Sequence, residues 1–582
     1  MLRTRWLYLR LLGAIMLLAF ISLWVQIQGL SGPTGVLPAE QYLDGVRASL
    51  TSGGSFAWWR APTLGWLGAG ETALDLMCAG GAIVSALLMF NLLPQVSLLV
   101  GWVLYASLIN LSGSFMSYQW DVLLAEVALL SLLWAPMGLR PGLGGKIPKL
   151  APWVLRVALF KLMFSSGMVK LVNLDEAWVG LQATTLHYWT QPLPHRVAWY
   201  AHQLPSWFHQ ASVAITLIIE LVVPLLLFAP RKLRVWAFVP LVGLQIIFAA
   251  TGNYGFFNLL VLTLCLVIID DKALAKIMPG KVKAKWFPKP KEAPKAEAAP
   301  APKPEEGKKA KKKKKPKKPK VPTKEKMKQG LGHGAAVAAV LVMLLYVPHS
   351  VGKILEASRM ELPGWAQTVD GYVRPWRMAS GPYGLFAQVV SERVEISIEG
   401  SADGRTWKPY VFKYKPGDLK TAPAFTGFHM PRLDWHMWAP SLGSDCRQDR
   451  RRSSKPYWLD GLMRGLASND AEVLSLFEKN PFPRTPPRQL RARRWKYTFA
   501  GEKAQEKGVW WARTSDGMWC APRTSASLLR GRRVAGEMPG QDLATAPVDT
   551  EPVLAPFSAI PLEDVPASYA PLAERPVSEA ER

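Results

Sequence analysis

The sequence predicts a polytopic α-helical membrane protein that carries a C-terminal, extracytoplasmic, β-sandwich-like α+β domain. Two observations predict this. The first half repeats apolar runs near the ~20 residues that cross a hydrocarbon layer, with 25 Trp in 582 residues. From Phe386 the texture changes to period-2 alternation, VVSERVEISIEG, then SADGRTW, then KPYVFKYKPG, which reads as strand, Asp-Gly turn and strand.

Taken in order, residues 1–28 place Arg3, Arg5 and Arg10 before an apolar run of signal-anchor type. Without a persuasive small-residue cleavage site, it reads as a retained first helix. Further spans are expected at 72–90, 95–111, 120–136, 151–171, 209–228, 235–250 and 255–270, with a short ninth at 334–347. FAWWRAPTLGWL, 56–67, is too short to span and rich in Trp, so an interfacial or re-entrant helix is expected there. The resulting domains are a membrane domain 1–271, a Lys/Pro/Ala-rich cytoplasmic linker 272–330, an additional transmembrane helix 331–350, a β-rich domain 370–525 and a disordered acidic Pro/Ala tail 537–582. Within the β-rich domain a helical stretch is expected at 457–478 and a strand at RRWKYTFA, 493–500.

Charge orients this arrangement. Residues 272–328 hold 22 Lys, no Arg and five Glu, a net +17 of the chain's +27. That tether has too few apolar residues to fold, and flanking spans make it a membrane-hugging linker rather than a nucleic-acid arm. The positive-inside rule puts the N-terminus, the tether, LRPGLGGKIPK (139–149) and PRKLR (230–234) in the cytoplasm. GPTGVLPAEQYLD, SYQWD, NLDEAW, HYWTQP and TGNYGFFN then emerge outside, where the ninth span also delivers the C-terminal domain.

Ionisable residues at membrane depth need a partner or a purpose. With ~1.5 Å of rise per residue, Lys161 lies about 14 Å below the outer rim, Glu220 about 17 Å and Glu126 about 8 Å. Lys161, Glu220 and Glu126 thus form a membrane-embedded charge network, with Lys161 expected to pair with Glu220 and hold helices in register. Asp121, Lys170, Asp175, Glu176 and His187 share the outer rim and could form a site, while His187 and His195 also suit interfacial hydrogen bonds. A pathway lined by Lys161, Glu126 and Glu220 would suit a transporter. In PRLDWHMW, 431–438, an Arg432–Asp434 contact with Trp packing is expected. The four cysteines show no metal spacing. Cys78 and Cys265 read as inert packing residues, and Cys446 and Cys520 could form a disulfide if their domain is extracytoplasmic. No GxSxG elbow, P-loop, HExxH or dinucleotide fingerprint stands in a supporting context, and no metal is implied.

QIQGLSGPTGVLPAEQYL, FMSYQWDVLLAE, LMFSSGMVKLVNLDEAW, LHYWTQPLPHRVAWYAHQLP and TGNYGFFNLL resemble the membrane part of the lipase maturation factor family. IEGSADGRTWKPYVFKYKPG, MPRLDWHMW, NPFPRTPPRQLRA and WWAR resemble its C-terminal domain, so the likeness covers about 8–271 and 376–522. It implies a chaperone-like factor of the endoplasmic-reticulum membrane that helps secreted lipases fold, assemble and leave. Its partners would be secreted clients, lipases among them, and membrane lipids, with no nucleic acid and no cofactor. Client-binding candidates are then Trp407, Arg432, Asp434, Trp435, Trp438, Trp510 and Trp511. The absence of a C-terminal retention signal, and a single sequon at Asn110 on a helix end, point to a bacterial member, with inner membrane and periplasm in place of reticulum and lumen. The membrane half is also distantly similar to the transmembrane domain of vitamin K-dependent γ-carboxylase, where a lysine acts as base. Gly167-Met168-Val169-Lys170 matches that stretch, and the alternative it implies is an enzyme using Lys170, His187 and Asp121 with a quinone-type lipid.

Overall fold

The computed structural model describes residues 1–51, 57–143, 150–286, 323–361, 363–443, 446 and 455–530. Most of the Lys tether and the acidic tail lie outside the described residues. The predicted apolar runs hold helices α1 (Leu2–Trp24), α2 (Glu71–Met89), α3 (Pro94–Ser112), α4 (Gln119–Ser131), α5 (Ala151–Val172), α6 (Ser206–Leu221), α7 (Phe238–Thr251) and α8 (Phe257–Cys265), of which α4 and α8 are shorter than the spans expected at 120–136 and 255–270. Helix α9 (Thr323–Ala357) begins inside the stretch expected to be an unfolded linker, 272–330, and two short helices, Asp271–Ile277 and Gly280–Trp286, form at the other described end of that stretch. Among the described residues six helical stretches are long and apolar enough to cross a membrane: Leu2–Trp24, Glu71–Met89, Pro94–Met116, Ser206–Phe228, Arg231–Thr251 and Val340–Ala357. This is an integral membrane protein.

Several ends are set by local chemistry. Pro94 and Pro152 stand in the first turns of α3 and α5, where a missing N–H costs nothing. The Asp271 carboxylate accepts the N–H groups of Leu2, Arg3 and Thr4 at 2.9, 3.1 and 3.0 Å, so the first helix is capped from the far end of the membrane half. In 56–67, the described part forms a short helix, Ala57–Arg60, and a 3-10 turn, Leu64–Leu67, with Trp58 and Trp59 exposed. Helix α10 (Gly364–Val373) is stapled to α9, because Asp370 meets His349 at 2.8 Å and Lys353 at 3.0 Å.

The C-terminal strands are β1 (Arg393–Ser401), β2 (Lys408–Pro409), β3 (Val411–Phe412), β4 (Phe477–Lys479), β5 (Gln489–Phe499) and β6 (Trp511–Thr524). They build a four-stranded antiparallel sheet, β2-β1-β5-β6, and a two-stranded one, β3-β4. The register runs from Arg393↔Tyr497 to Ser401↔Gln489. The predicted turn forms as an Asp-capped loop: the Asp403 carboxylate accepts the N–H of Arg405 and Thr406, and Gly404 takes φ +74°. One face of the sheet buries Ile396, Ile398, Leu490 and Ala492 against helices α11 (Arg432–His436) and α12 (Leu459–Ser468).

The helix expected over 457–478 is broken. Asn469 takes the left-handed conformation that ends α12, Asp470 caps the next short helix through Glu472 and Val473, and the chain then enters β4. Both cores cross the boundary between the halves. Leu30, Val36 and Phe115 of the membrane half belong to the sheet's core, while Tyr383, Met430 and Trp435 belong to the membrane half's core.

Candidate functional site at the seam of the two halves

The seam is fastened by a wholly buried ion pair. Arg432 at the start of α11 meets Asp121 in α4 through two bonds of 2.7 Å, a bidentate fork, and donates to the Phe115 carbonyl at 2.7 Å. Tyr105 donates to the same carboxylate at 2.5 Å, and Gln26 of the membrane half accepts the Arg432 backbone N–H at 2.9 Å. Burial disfavours the guanidinium charge, but Asp121 outweighs it and holds Arg432 above its ordinary range. Around this pair, Trp435 packs on Trp120 at 4.9 Å and His436 shares a 2.7 Å hydrogen bond with Tyr118.

A second knot lies deeper. Glu126 of α4 takes Lys161 of α5 at 2.7 Å, Tyr383 at 2.8 Å, the Ser380 N–H at 2.9 Å and the Tyr346 hydroxyl of α9. Lys161 also donates to the Ser380 carbonyl at 2.6 Å. One carboxylate therefore joins two helices of the first half, the helix after the tether and the strap that leads to the sheet. Lys170 at the end of α5 is held by Glu220 of α6, with bonds of 2.6 and 2.7 Å, under the Trp178 ring at 4.9 Å.

Loops complete the clasp. The Asn253 amide donates to the Ala424 carbonyl at 2.8 Å and its oxygen accepts the Thr426 N–H at 3.0 Å. Ser22 in α1 meets His429 at 3.0 Å and accepts the Met430 N–H at 2.9 Å. Arg393 reaches the carbonyls of Trp189, Gln191 and Pro192, and Trp199 donates to the Ala500 carbonyl at 2.9 Å.

Comparison with known proteins separates the same two halves. The chain matches the lipase maturation factor transmembrane domain over residues 3–276 and the lipase maturation factor C-terminal domain over 379–521. It is 34% identical to lipase maturation factor 2 of Mus musculus, covering 87% of this chain and 81% of that protein. The Homo sapiens protein of that name is also 34% identical, over 88% of this chain and 81% of its own length. Lipase maturation factor 1 of Mus musculus is 30% identical, over 89% and 87%. The chain belongs to the lipase maturation factor family. No solved structure matches it.

In this lipase maturation factor family member the buried charges pair differently from the expectation. Lys161 takes Glu126, not Glu220, and Glu220 takes Lys170. Asp121 turns to Arg432 and Lys170 to Glu220, while the Lys170 charge lies near enough to His187 to act on it. His187 shares a 2.9 Å hydrogen bond with Tyr254 against Phe386, and burial pushes its pKa down to about 3. His195 accepts the Val197 N–H, capping the helix that follows. Asp175 caps its own helix through Ala177 and Trp178. The Arg432–Asp434 contact is replaced: Asp434 accepts the Tyr414 N–H at 2.7 Å.

Of the client-binding candidates, Arg432, Asp434, Trp435, Trp438 and Trp511 are buried in or beside the seam, Trp438 donating to the Thr190 carbonyl at 3.0 Å. Trp510 lies against Trp199, and Trp407 lies on the sheet under Arg491. Arg432, Trp435 and Trp438 make contacts between the two halves. Sequence reasoning missed Tyr346, Ser380, Tyr383, Arg393 and Asn253. For Arg393 a signal existed, since Arg393 and Glu395 alternate with the core residues of one strand and pair at 2.5 Å. Asn110 of the sequon is buried and its amide donates to the carbonyls of Pro62 and Pro375, so it is no glycan acceptor in this fold. Cys446 and Cys520 are disulfide-bonded, and Cys78 and Cys265 are buried free thiols. Among the described residues no group of three or more His, Cys, Asp or Glu is placed to hold a metal ion.

Proposed function

We propose that the chain assists the folding and assembly of secreted lipases on the extracytoplasmic face of its membrane, and that it does so by binding. The carrying observation is the match to proteins named lipase maturation factors across 87% of the chain, both halves in order. The Cys446–Cys520 disulfide supports an oxidising, extracytoplasmic compartment for the sheet. Nine spans with the tether in the cytoplasm satisfy the charge asymmetry, and the membrane we propose is a bacterial inner membrane with the C-terminal domain in the periplasm.

Binding needs an exposed apolar handle, and the loop beside the seam supplies one. Phe425 and Phe428 are 61% and 47% exposed on a turn whose Gly427 has φ +64°. Asn253 holds one end of that turn and Ser22 the other. A rigid pair of exposed rings loses little entropy on docking, which suits it to hold apolar surface of an incompletely folded client. The test is co-expression with a dimeric secreted lipase, scoring active lipase released. Phe425→Ser/Phe428→Ser is expected to cut that yield several-fold while the melting temperature stays within a degree or two. Unchanged lipase release from a strain lacking the protein altogether would overturn the reading.

A further inference from the structure

The sheet face opposite its core carries a stack of guanidinium and indole groups that the seam does not use. Along β5, alternate positions place Arg491, Arg493 and Trp495 on that face, with Arg513 beside them on β6. The Arg493 guanidinium lies 4.7 Å from the Trp495 ring and that of Arg513 lies 4.6 Å from the same ring, while Arg491 stands 4.1 Å over Trp407. Arg491 is neutralised by Glu399 at 2.7 Å. Arg493 and Arg513 have neutral acceptors only: Arg493 donates to the Ser515 hydroxyl, and Arg513 to the Tyr497 hydroxyl and the Gly417 carbonyl. Among the described residues neither has a carboxylate partner. Two positive charges stacked on one ring are pre-oriented for carboxylates, because the stacking restrains their planar donor forks.

We propose that this ladder docks the chain's own acidic C-terminal segment, residues 537–582. The segment holds nine carboxylates against two Arg and no Lys, the complement of a face with two unpaired guanidinium groups. Its point of departure is close. Strand β6 ends at Thr524, paired with Gln489, four residues and therefore about 14 Å along β5 from Arg493. Helix α13 (Ser525–Arg530) then anchors the chain through buried Leu528. A chain of some fifty residues of linker composition has a root-mean-square reach of about 40 Å, and tethering of this kind raises the local concentration towards millimolar. The tail so docked occupies the Arg493–Trp495–Arg513 ladder, while Arg393 and Tyr497 on the same side of the sheet stay buried.

The test uses the full chain in detergent with a protease site inserted between Arg530 and Glu537, before and after cleavage and removal of the released tail. The probe is a fluorescent peptide of residues 537–582, followed by anisotropy in low salt. Cleaved protein is expected to bind the peptide at least tenfold more tightly than intact protein, whose ladder is already occupied. Arg493→Gln/Arg513→Gln, or 0.5 M NaCl, is expected to abolish binding to the cleaved form, with an unchanged melting temperature showing that the substitutions leave the fold intact. Equal binding by intact and cleaved protein, or by parent and double variant, would overturn the proposal. So would cleaved protein that ignores the peptide but captures phosphatidylglycerol vesicles or polyglutamate, because the ladder would then serve an external anion.

Discussion

Arg432 and Asp121 are both 0% exposed, so neither can recover solvation when the other is removed. Removing one member of such a pair leaves an uncompensated buried charge and costs about 3–5 kcal/mol. Arg432→Ala and Asp121→Ala are therefore each expected to lower the melting temperature sharply, whereas Arg432→Gln/Asp121→Asn, which buries two neutral amides, recovers part of the loss. Arg432→Lys keeps the charge but not the fork and should fall between. Equal melting of single and double variants would show that the pair carries no coupling. A second residue-scale expectation concerns pH. Burial pushes His187 and His436 down to about 3, and burial together with Arg432 and Lys413 pushes His429 to about 4. All three are neutral when folded, and the unfolded chain takes up their protons near pH 6.5. Their contribution is complete above pH 6.5 and is lost as pH falls towards 4, by up to about 1.4 kcal/mol per unit for each. Asp434, raised to about 6 by burial, works the other way: the folded state protonates first, so acid stabilises it between about pH 6 and 4. Three groups against one leaves a net loss, and melting at pH 5 should fall well below melting at pH 7.5. His436→Asn, which keeps a hydrogen-bonding group beside Tyr118 without the titration, should shrink that difference.

Among the elements, α12 lies close against the turn after α1. A Cβ on Gly461 would lie 1.9 Å from the Val36 carbonyl oxygen, and one on Gly29 would lie 2.4 Å from the Glu472 carbonyl oxygen. Both obstacles are backbone, which cannot swing aside as a side chain can. Gly461→Ala should then wedge the sheet away from the membrane half, at a cost of at least the ~1–3 kcal/mol of ordinary overpacking. The readout is limited proteolysis: new cleavage in 455–530 with the membrane helices still protected. Unaltered proteolysis and melting would show that the turn after α1 yields more easily than its backbone contacts imply. At this scale, patterning reveals strands and spans because apolar period reports which face is covered. It does not reveal the break at Asn469-Asp470, where two polar residues switch from ending one helix to capping the next.

For the whole molecule, the two halves share their cores and are knotted at Glu126, so the Lys tether is not what holds them together. Chains 1–286 and 323–582 expressed separately in one cell should therefore assemble and co-purify, as lipase maturation factor halves joined by shared cores and by hydrogen bonds to side chains and backbone. Glu126→Ala, which removes the acceptor shared by Lys161, Tyr346, Tyr383 and Ser380, should lower that recovery severalfold. Failure of the split halves to associate would make the tether a structural element.

The sequence by itself determined the membrane class, the places of β1 to β3 and β5, the turn at Asp403-Gly404 and the family. These follow from apolar run length, alternation and local turn chemistry, which act within a few residues. Tertiary structure alone decided which buried charge meets which. Lys161 and Lys170 stand nine residues apart on one helix, and Glu126 and Glu220 lie on two others. Rise per residue gives depth, but helix rotation and neighbour identity choose the partner, and those are settled by packing over the entire bundle. Arg432 shows the same physics at its furthest reach: its carboxylate is 311 positions away, with nothing local to choose it over Asp434.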